Sequence, residues 1–191
     1  MTRKQFWIGI SILLFITLVI IFIKRKSVVK YVQAAIDYTK GKVWDYMTAV
    51  RINNLHPSIR QQATEFINKA EAEGIKLRIT SGLRTFAEQD KLYAQGRTEP
   101  GAIVTYAKAG ESTHNYGLSF DVVPIVNGKA DYNTDWDRIA LIGKSFGFQW
   151  GGDWSGFEDK PHFEKTFGLS IAQLQNLYNS GQLQDDYIVI S

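Results

Sequence analysis

The 191-residue chain contains no cysteine. Disulfides, cysteine-ligated metal and a thiol nucleophile are excluded by that absence, while the redox compartment stays open. Histidine is scarce too, with three residues, so imidazole chemistry has few places to sit. No complete G-x-S-x-G elbow occurs; Gly117-Leu118-Ser119 begins like one and stops, which leaves a serine hydrolase little support. Internal repeats and low-complexity tracts are also absent.

Charge is missing from one long stretch. Phe6 to Ile23 runs 18 consecutive residues without an ionisable side chain and without a periodic polar face. That length lies near the lower end of the roughly 17–25 apolar residues that span a bilayer. A cleavable signal peptide would need a shorter apolar core and a small-x-small site, whereas Ile23 runs straight into Lys24-Arg25-Lys26. The reading is one uncleaved, single-pass anchor over residues 1–26. Its flanking charges, with Lys24, Arg25, Lys26 and Lys30 on the C-terminal side against Arg3 and Lys4, lean towards a cytoplasmic C-terminal side.

The formal net charge of +3 belongs to this anchor. Residues 1–30 hold six of the 22 Lys/Arg and no acid, so the remaining 16 face 19 acids, a net of −3. The basic flanks suit anionic lipid head groups. A nucleic-acid partner would need a basic face on the folded domain, and none is evident.

Residues 27–52 read as a juxtamembrane stalk with partly helical spacing, interrupted by Gly41. The folded domain is expected over 53–182, followed by a tail at 183–191. Pro57 suits the first turn of a helix whose buried stripe is Ile59, Ala63, Phe66, Ile67 and Ala70. Alternation over Ile75–Thr80 predicts a half-buried strand, and Thr85-x-x-Glu88 a capping box opening a second helix. A strand is expected over Leu118–Val123, and Asn127-Gly128 predicts a two-residue hairpin turn. Thr134-x-x-Asp137 and Ser170 open two further helices, while 148–150 and 162–165 read as short strands. Without βαβ alternation the class is α+β, a small antiparallel sheet with flanking helices.

Two of the three histidines stand near carboxylates in a suggestive pattern. His114 lies seven residues before Asp121, and Asp159 three before His162. Two imidazoles and a carboxylate make an N,N,O ligand set suited to a catalytic Zn²⁺ with one position left open. A further carboxylate nearby is what a zinc hydrolase needs to take a proton from water. Asp121 sits among Leu118, Phe120, Val122 and Val123, where a carboxylate is costly unless paired or bound to metal. His56 has no such fixed partner and reads as a residue at a helix start rather than a ligand. Spacing alone does not separate Asp159 from Glu158 as base, and Arg84 alone reads as a surface ion pair.

These segments resemble the VanY-like peptidases of peptidoglycan, zinc D-Ala-D-Ala carboxypeptidases and L-Ala-D-Glu endopeptidases, with the core motif S-x-H-x-x-G-x-x-x-D then D/E-x-x-H. Ser112, His114, Gly117, Asp121, Asp159 and His162 occupy every motif position. Ser81-Gly82-Leu83-Arg84-Thr85 with Glu88-Gln89, and Trp150-Gly151-Gly152-Asp153-Trp154, match flanking blocks. The resemblance spans roughly 53–169 and implies the hedgehog/DD-peptidase fold.

It further implies Zn²⁺ on His114, Asp121 and His162, with Asp159 as general base and Arg84 polarising the scissile carbonyl or stabilising the tetrahedral oxyanion. Ser112, Gln89, Tyr116, Trp150 and Asp153 are the implied substrate contacts, although aromatics beside Gly-Gly, such as Trp150 and Trp154, are more often core than specificity elements. Glu164 can orient His162 or simply be solvated. The Asp-x-Pro-His form of the last motif looks like the endopeptidase branch. The expected substrate is therefore the L-Ala-D-Glu bond of stem peptides, cut by a monomer on the outer side of a bacterial cytoplasmic membrane, against the lean of the charges. A D-Ala-D-Ala carboxypeptidase is the alternative, as is a non-catalytic zinc-containing binding domain, since the hedgehog signalling domain shares this fold.

Overall fold

The computed structural model describes residues 25, 28–33, 36, 39 and 41–190. The expected span over Phe6–Ile23 lies outside them; among the described residues no helix is long and apolar enough to cross a membrane. The chain divides into two compact units, 1–43 and 44–191. In the first, residues 28–33 are helical.

The second unit begins earlier than the expected boundary at 53, because residues 44–53 form a helix that closes a sheet edge. That edge is β1 (Leu77–Ser81). Thr48 Oγ1 accepts from the Ile79 N–H at 3.2 Å and Arg51 Nη1 donates to the Ile79 carbonyl at 2.9 Å. Buried Arg78 reaches back to Asp45 and to Glu71. Side chains thus satisfy backbone groups that an exposed edge strand would offer to other chains.

Strand order is β1–β2–β5–β4, all antiparallel, with β2 (Ser119–Val126) central, β5 (His162–Glu164) beside it and β4 (Gln149–Trp150) at the far edge. The Asn127-Gly128 turn, at φ 51° and 74°, returns β2 into β3 (Lys129–Ala130), as those two residues predict.

Residue pairing divides the sheet into two faces. Leu77, Ile79, Phe120, Val122, Phe163 and Trp150 share one, and they meet α1 (Pro57–Ala72) and α3 (Trp136–Ser145). Phe66 of α1 stands edge-on to Phe163 at 4.9 Å and touches Phe120 and Phe148. Burying each such ring contributes about 1.5–3 kcal/mol. The buried stripe of α1 contains the five residues its periodicity predicts. The opposite face carries Ser119, Asp121, His162, Glu164 and Gln149.

Helix α2 (Phe86–Ala94) opens with the expected Thr85–Glu88 capping box, and α4 (Ile171–Asn179) with one between Ser170 and Gln173. The cap of α3 differs from expectation. Asp135, not Thr134, accepts the Arg138 N–H, because the helix begins at Trp136 and Asp135 is the residue that precedes it. Residues 183–191, expected as a tail, instead contain a hairpin, β6 (Leu183–Gln184) and β7 (Tyr187–Ile188).

His56 ties this hairpin to the first helix. Its Nδ1 accepts from the Ser58 N–H at 3.2 Å, so Nε2 carries the proton and donates to the Ile188 carbonyl at 2.8 Å. Burial lowers its pKa, helped by Arg60 and opposed by the Ile188 bond. A histidine that folds neutral contributes stability fully present above its unfolded pKa near 6.5 and lost as pH falls towards the folded value. Denaturation midpoints should therefore fall below about pH 6.5, with a slope of up to ~1.4 kcal/mol per pH unit. His56→Asn, which keeps a capping oxygen, should flatten that slope relative to the unmodified chain.

Candidate active site

The site face owes its content to register. On β2 Asp121 pairs with Ser81 on one side and His162 on the other. An irregularity between Ile79 and Ser81 sets Thr80 out of step, so that Ser81 rather than Thr80 comes opposite Asp121. Bulges often re-aim side chains beside active sites. Here the bulge brings the Ser81 hydroxyl to the Arg84 guanidinium, at 3.1 Å.

His114 arrives on a 3₁₀ turn, Thr113–Tyr116, capped by Ser112 Oγ, which accepts the His114 N–H at 3.3 Å. The turn ends at Gly117 in the left-handed region, φ 67°, where a Cβ would lie 2.7 Å from the His56 nitrogen. Only glycine fits that approach. The Asn115 side chain ties the turn to Arg84 by donating to the Arg84 carbonyl at 2.9 Å, and the Arg84 N–H donates to the His114 carbonyl at 3.0 Å. Asn115 was not singled out from sequence; its place between His114 and Gly117 in the motif was the available signal.

One ligand atom each from His114, Asp121 and His162 falls within 4.8 Å of the others, and the two imidazole centroids are 5.0 Å apart. The outer ring nitrogens are already engaged. His114 Nδ1 bonds the Gly82 carbonyl at 2.7 Å, and His162 Nε2 meets Glu164 Oε2 at 3.2 Å. Inner atoms His114 Nε2 and His162 Nδ1 face Asp121 Oδ1 at 3.3 and 3.1 Å. Anchoring the far nitrogen on a carbonyl or carboxylate fixes tautomer and ring direction, as metal-binding histidines require. Glu164 is itself held by the Thr113 hydroxyl at 2.9 Å. Three inward donors, the two imidazoles with their outer nitrogens tied down, fit a divalent cation.

Electrostatics follow from this crowding. Burial would raise Asp121, but the two imidazoles hold it well below the usual carboxylate range. Burial would lower His162, but Asp121 and Glu164 push it up to about 9. Glu164 is lowered overall, its hydrogen bonds from His162 and Thr113 outweighing burial. Asp159 moves the other way. Burial and the neighbouring Asp121 charge raise it, against the pull of His162, His114 and Arg84. Gly151 permits its position, since a Cβ there would come 2.5 Å from the Asp159 carbonyl.

The cleft around these groups encloses about 880 Å³ and is lined by Arg84, Ser112, His114, Asp121, Asp159 and His162, with Trp154, Tyr106 and Phe157. Four expected substrate contacts do not reach it. Gln89 is fully buried, its oxygen accepting from Arg84 at 2.9 Å and its nitrogen donating to the Ala107 carbonyl at 2.7 Å, so it positions Arg84. Tyr116 is buried and donates to the Gly110 carbonyl at 2.7 Å. Trp150 pairs with Phe163 on the core face. Asp153 is exposed and bridged to Lys144 at 2.7 Å. Tyr106 and Phe157 also line the cleft, from irregular loops that give no periodic signal, and Leu92 lines it from α2.

Residues 105–165 match a family model described as D-alanyl-D-alanine carboxypeptidase. The chain is 45% identical over 123 residues to the peptidoglycan L-alanyl-D-glutamate endopeptidase CwlK of Bacillus subtilis, covering 59% of this chain and 74% of the relative. It is 31% identical over 124 residues to the L-alanyl-D-glutamate peptidase of Listeria phage A118, covering 61% of this chain and 40% of that longer protein. Among solved structures, the Serratia marcescens L-Ala D-Glu endopeptidase ChiX aligns with a TM-score of 0.47 at 23% identity, over 63% of this chain and 86% of that one.

Proposed function

The chain belongs to the M15 peptidases, as a metallopeptidase acting on peptidoglycan, and from that premise we propose that it cuts the L-Ala–D-Glu bond of stem peptides with Zn²⁺ held by His114, Asp121 and His162. The observation that carries the reading is the convergence of these three donors in one cleft with a second carboxylate, Asp159. Zinc bound there would acidify water and polarise a carbonyl.

The chain's own residues divide the remaining work. Asp159, whose pKa is raised, is the proton acceptor from water and then the donor to the leaving amine, since a base acts best when its pKa approaches the working pH. Arg84 presents a fixed cation to the scissile carbonyl oxygen, where charge develops. Its guanidinium cannot swing away while Ser81 and Gln89 hold two of its nitrogens. Ser112, at the cleft wall, would hydrogen-bond the peptide backbone. Anchoring through residues 6–23, with the domain outside the membrane where stem peptides lie, belongs to the same proposal.

Both curated relatives named for L-Ala–D-Glu cleavage support that bond, whereas the description of the family model favours the D-Ala-D-Ala bond as second reading. Mass analysis of muropeptides digested by the full chain separates them. Fragments ending in L-Ala and beginning with D-Glu are expected; release of D-Ala alone would assign the chain to the carboxypeptidases.

A further inference from the structure

The rim of the cleft carries three aromatic side chains that the reaction above does not use: Tyr106, Trp154 and Phe157. Tyr106 and Phe157 are 70% and 54% exposed. Rings held in water forfeit burial, so their placement asks for a reason. Looseness of the loops does not supply one. The carbonyls flanking Tyr106 are both taken, Thr105 by Arg97 Nη2 at 3.0 Å and Ala107 by Gln89 at 2.7 Å. Arg97 also lies over the Tyr93 ring at 3.9 Å and reaches 5.6 Å from the Tyr106 ring. The loop bearing Phe157 is closed by the Asp159 N–H donating to the Gly151 carbonyl at 3.0 Å.

The Tyr106 and Phe157 rings meet edge to face at 6.1 Å, and Trp154 stands 5.0 Å from the His162 ring. Aromatic rings therefore line the same cleft both beside a metal-site histidine and at the rim. Such a surface suits a ligand with a flat C–H face and no charge, which is the character of a pyranose ring. The proposed substrate has one close by. In peptidoglycan the stem's L-Ala is amide-linked to the lactyl group of an N-acetylated amino sugar. One residue, at most about 3.6 Å of extended chain, separates that link from the L-Ala–D-Glu bond.

We propose that Tyr106, Trp154 and Phe157 form a subsite for the glycan's amino sugar, so that the substrate is a stem peptide still attached to the glycan strand. The assignment rests on the L-Ala–D-Glu reading, because a D-Ala-D-Ala bond lies too many residues from the sugar for contact. The charges nearby agree. The lactyl carboxyl is consumed in its amide, so the sugar end is neutral, and the guanidinium behind Tyr106 is already engaged by Thr105 and Tyr93.

The test compares kcat/KM of the full chain for two substrates, an N-acetylated stem tetrapeptide and the same tetrapeptide carrying an N-acetylmuramoyl group. A preference of about tenfold or more for the muramoyl form is expected, carried by KM. Tyr106→Ala and Phe157→Ala should bring the ratio close to one, while Tyr106→Trp preserves it. Calorimetric binding of N-acetylmuramoyl-L-alanine should be lost in the same two alanine variants, with thermal melts confirming that they fold. Equal kcat/KM for the two substrates in the unmodified chain, or a ratio unmoved by both alanine substitutions, overturns the subsite. Failure to cut the L-Ala–D-Glu bond in either peptide overturns the function reading, and the subsite with it.

Discussion

Replacing Asp159 by asparagine is expected to lower kcat for stem-peptide hydrolysis by about 10²–10⁴-fold while one equivalent of metal stays bound. The two halves of that expectation come from different parts of the site. The carboxylate lies in the cleft, outside the set of donors that converge within 4.8 Å. Removing its charge leaves His114, Asp121 and His162 with their own anchors at Gly82 and Glu164 intact. What is lost is the proposed proton acceptor. Metal content measured beside steady-state kinetics checks both halves at once. An unchanged rate would remove Asp159 from the reaction and turn attention to another base. Loss of metal together with rate would instead make it a ligand.

Exhaustive chelation should abolish hydrolysis, and stoichiometric Zn²⁺ should restore it in the unmodified chain but not in Asp121→Asn. A Lewis acid contributes several kcal/mol to the transition state, which at ~1.4 kcal/mol per tenfold amounts to about three orders of magnitude or more. Asp121 is the member to change because it contributes the set's negative charge and bonds both imidazoles, at 3.3 and 3.1 Å. Asparagine keeps the shape and removes the charge. Activity that survives the chelator would point to metal-independent chemistry and refute the ligand assignment. Recovery of Asp121→Asn with zinc would show that the two histidines suffice.

Much of this site was legible in the chain because its chemistry demands particular residue types. Asp121 in an apolar run is costly unless something pairs with it, and His114 and His162 are two of three histidines. Local signals were equally readable. The α1 stripe, the Thr85–Glu88 box and the Asn127-Gly128 turn each depend on neighbours within a few residues. What a sequence conceals is the direction a side chain takes once strands pair. Gln149 and Trp150 are adjacent, yet Gln149 lines the cleft and Trp150 packs into the core, because alternate strand residues face opposite ways.

Gln89 illustrates a related difficulty. Its motif neighbour Arg84 lines the cleft, but its own side chain is enclosed between Arg84 and Ala107. The boundary at Trp44 was hidden for another reason. Asp45, Thr48 and Arg51 serve an edge strand some thirty residues away, and no local pattern announces such a partnership. Tyr106 and Phe157 stand in loops whose order comes from Arg97, Gln89 and Gly151 rather than from periodicity.

The pairing of Asp121 with His162 across β2 and β5 has a consequence for how the sheet finds its alignment. A slip of one residue would present Phe163 to the donors and drive His162 among the phenylalanines around Phe66. Both errors cost, one in lost aromatic burial and one in a stranded imidazole. A captured cation would add its binding energy to the correct alignment alone, so the ion that equips the chain for hydrolysis would also act as proofreader of the sheet.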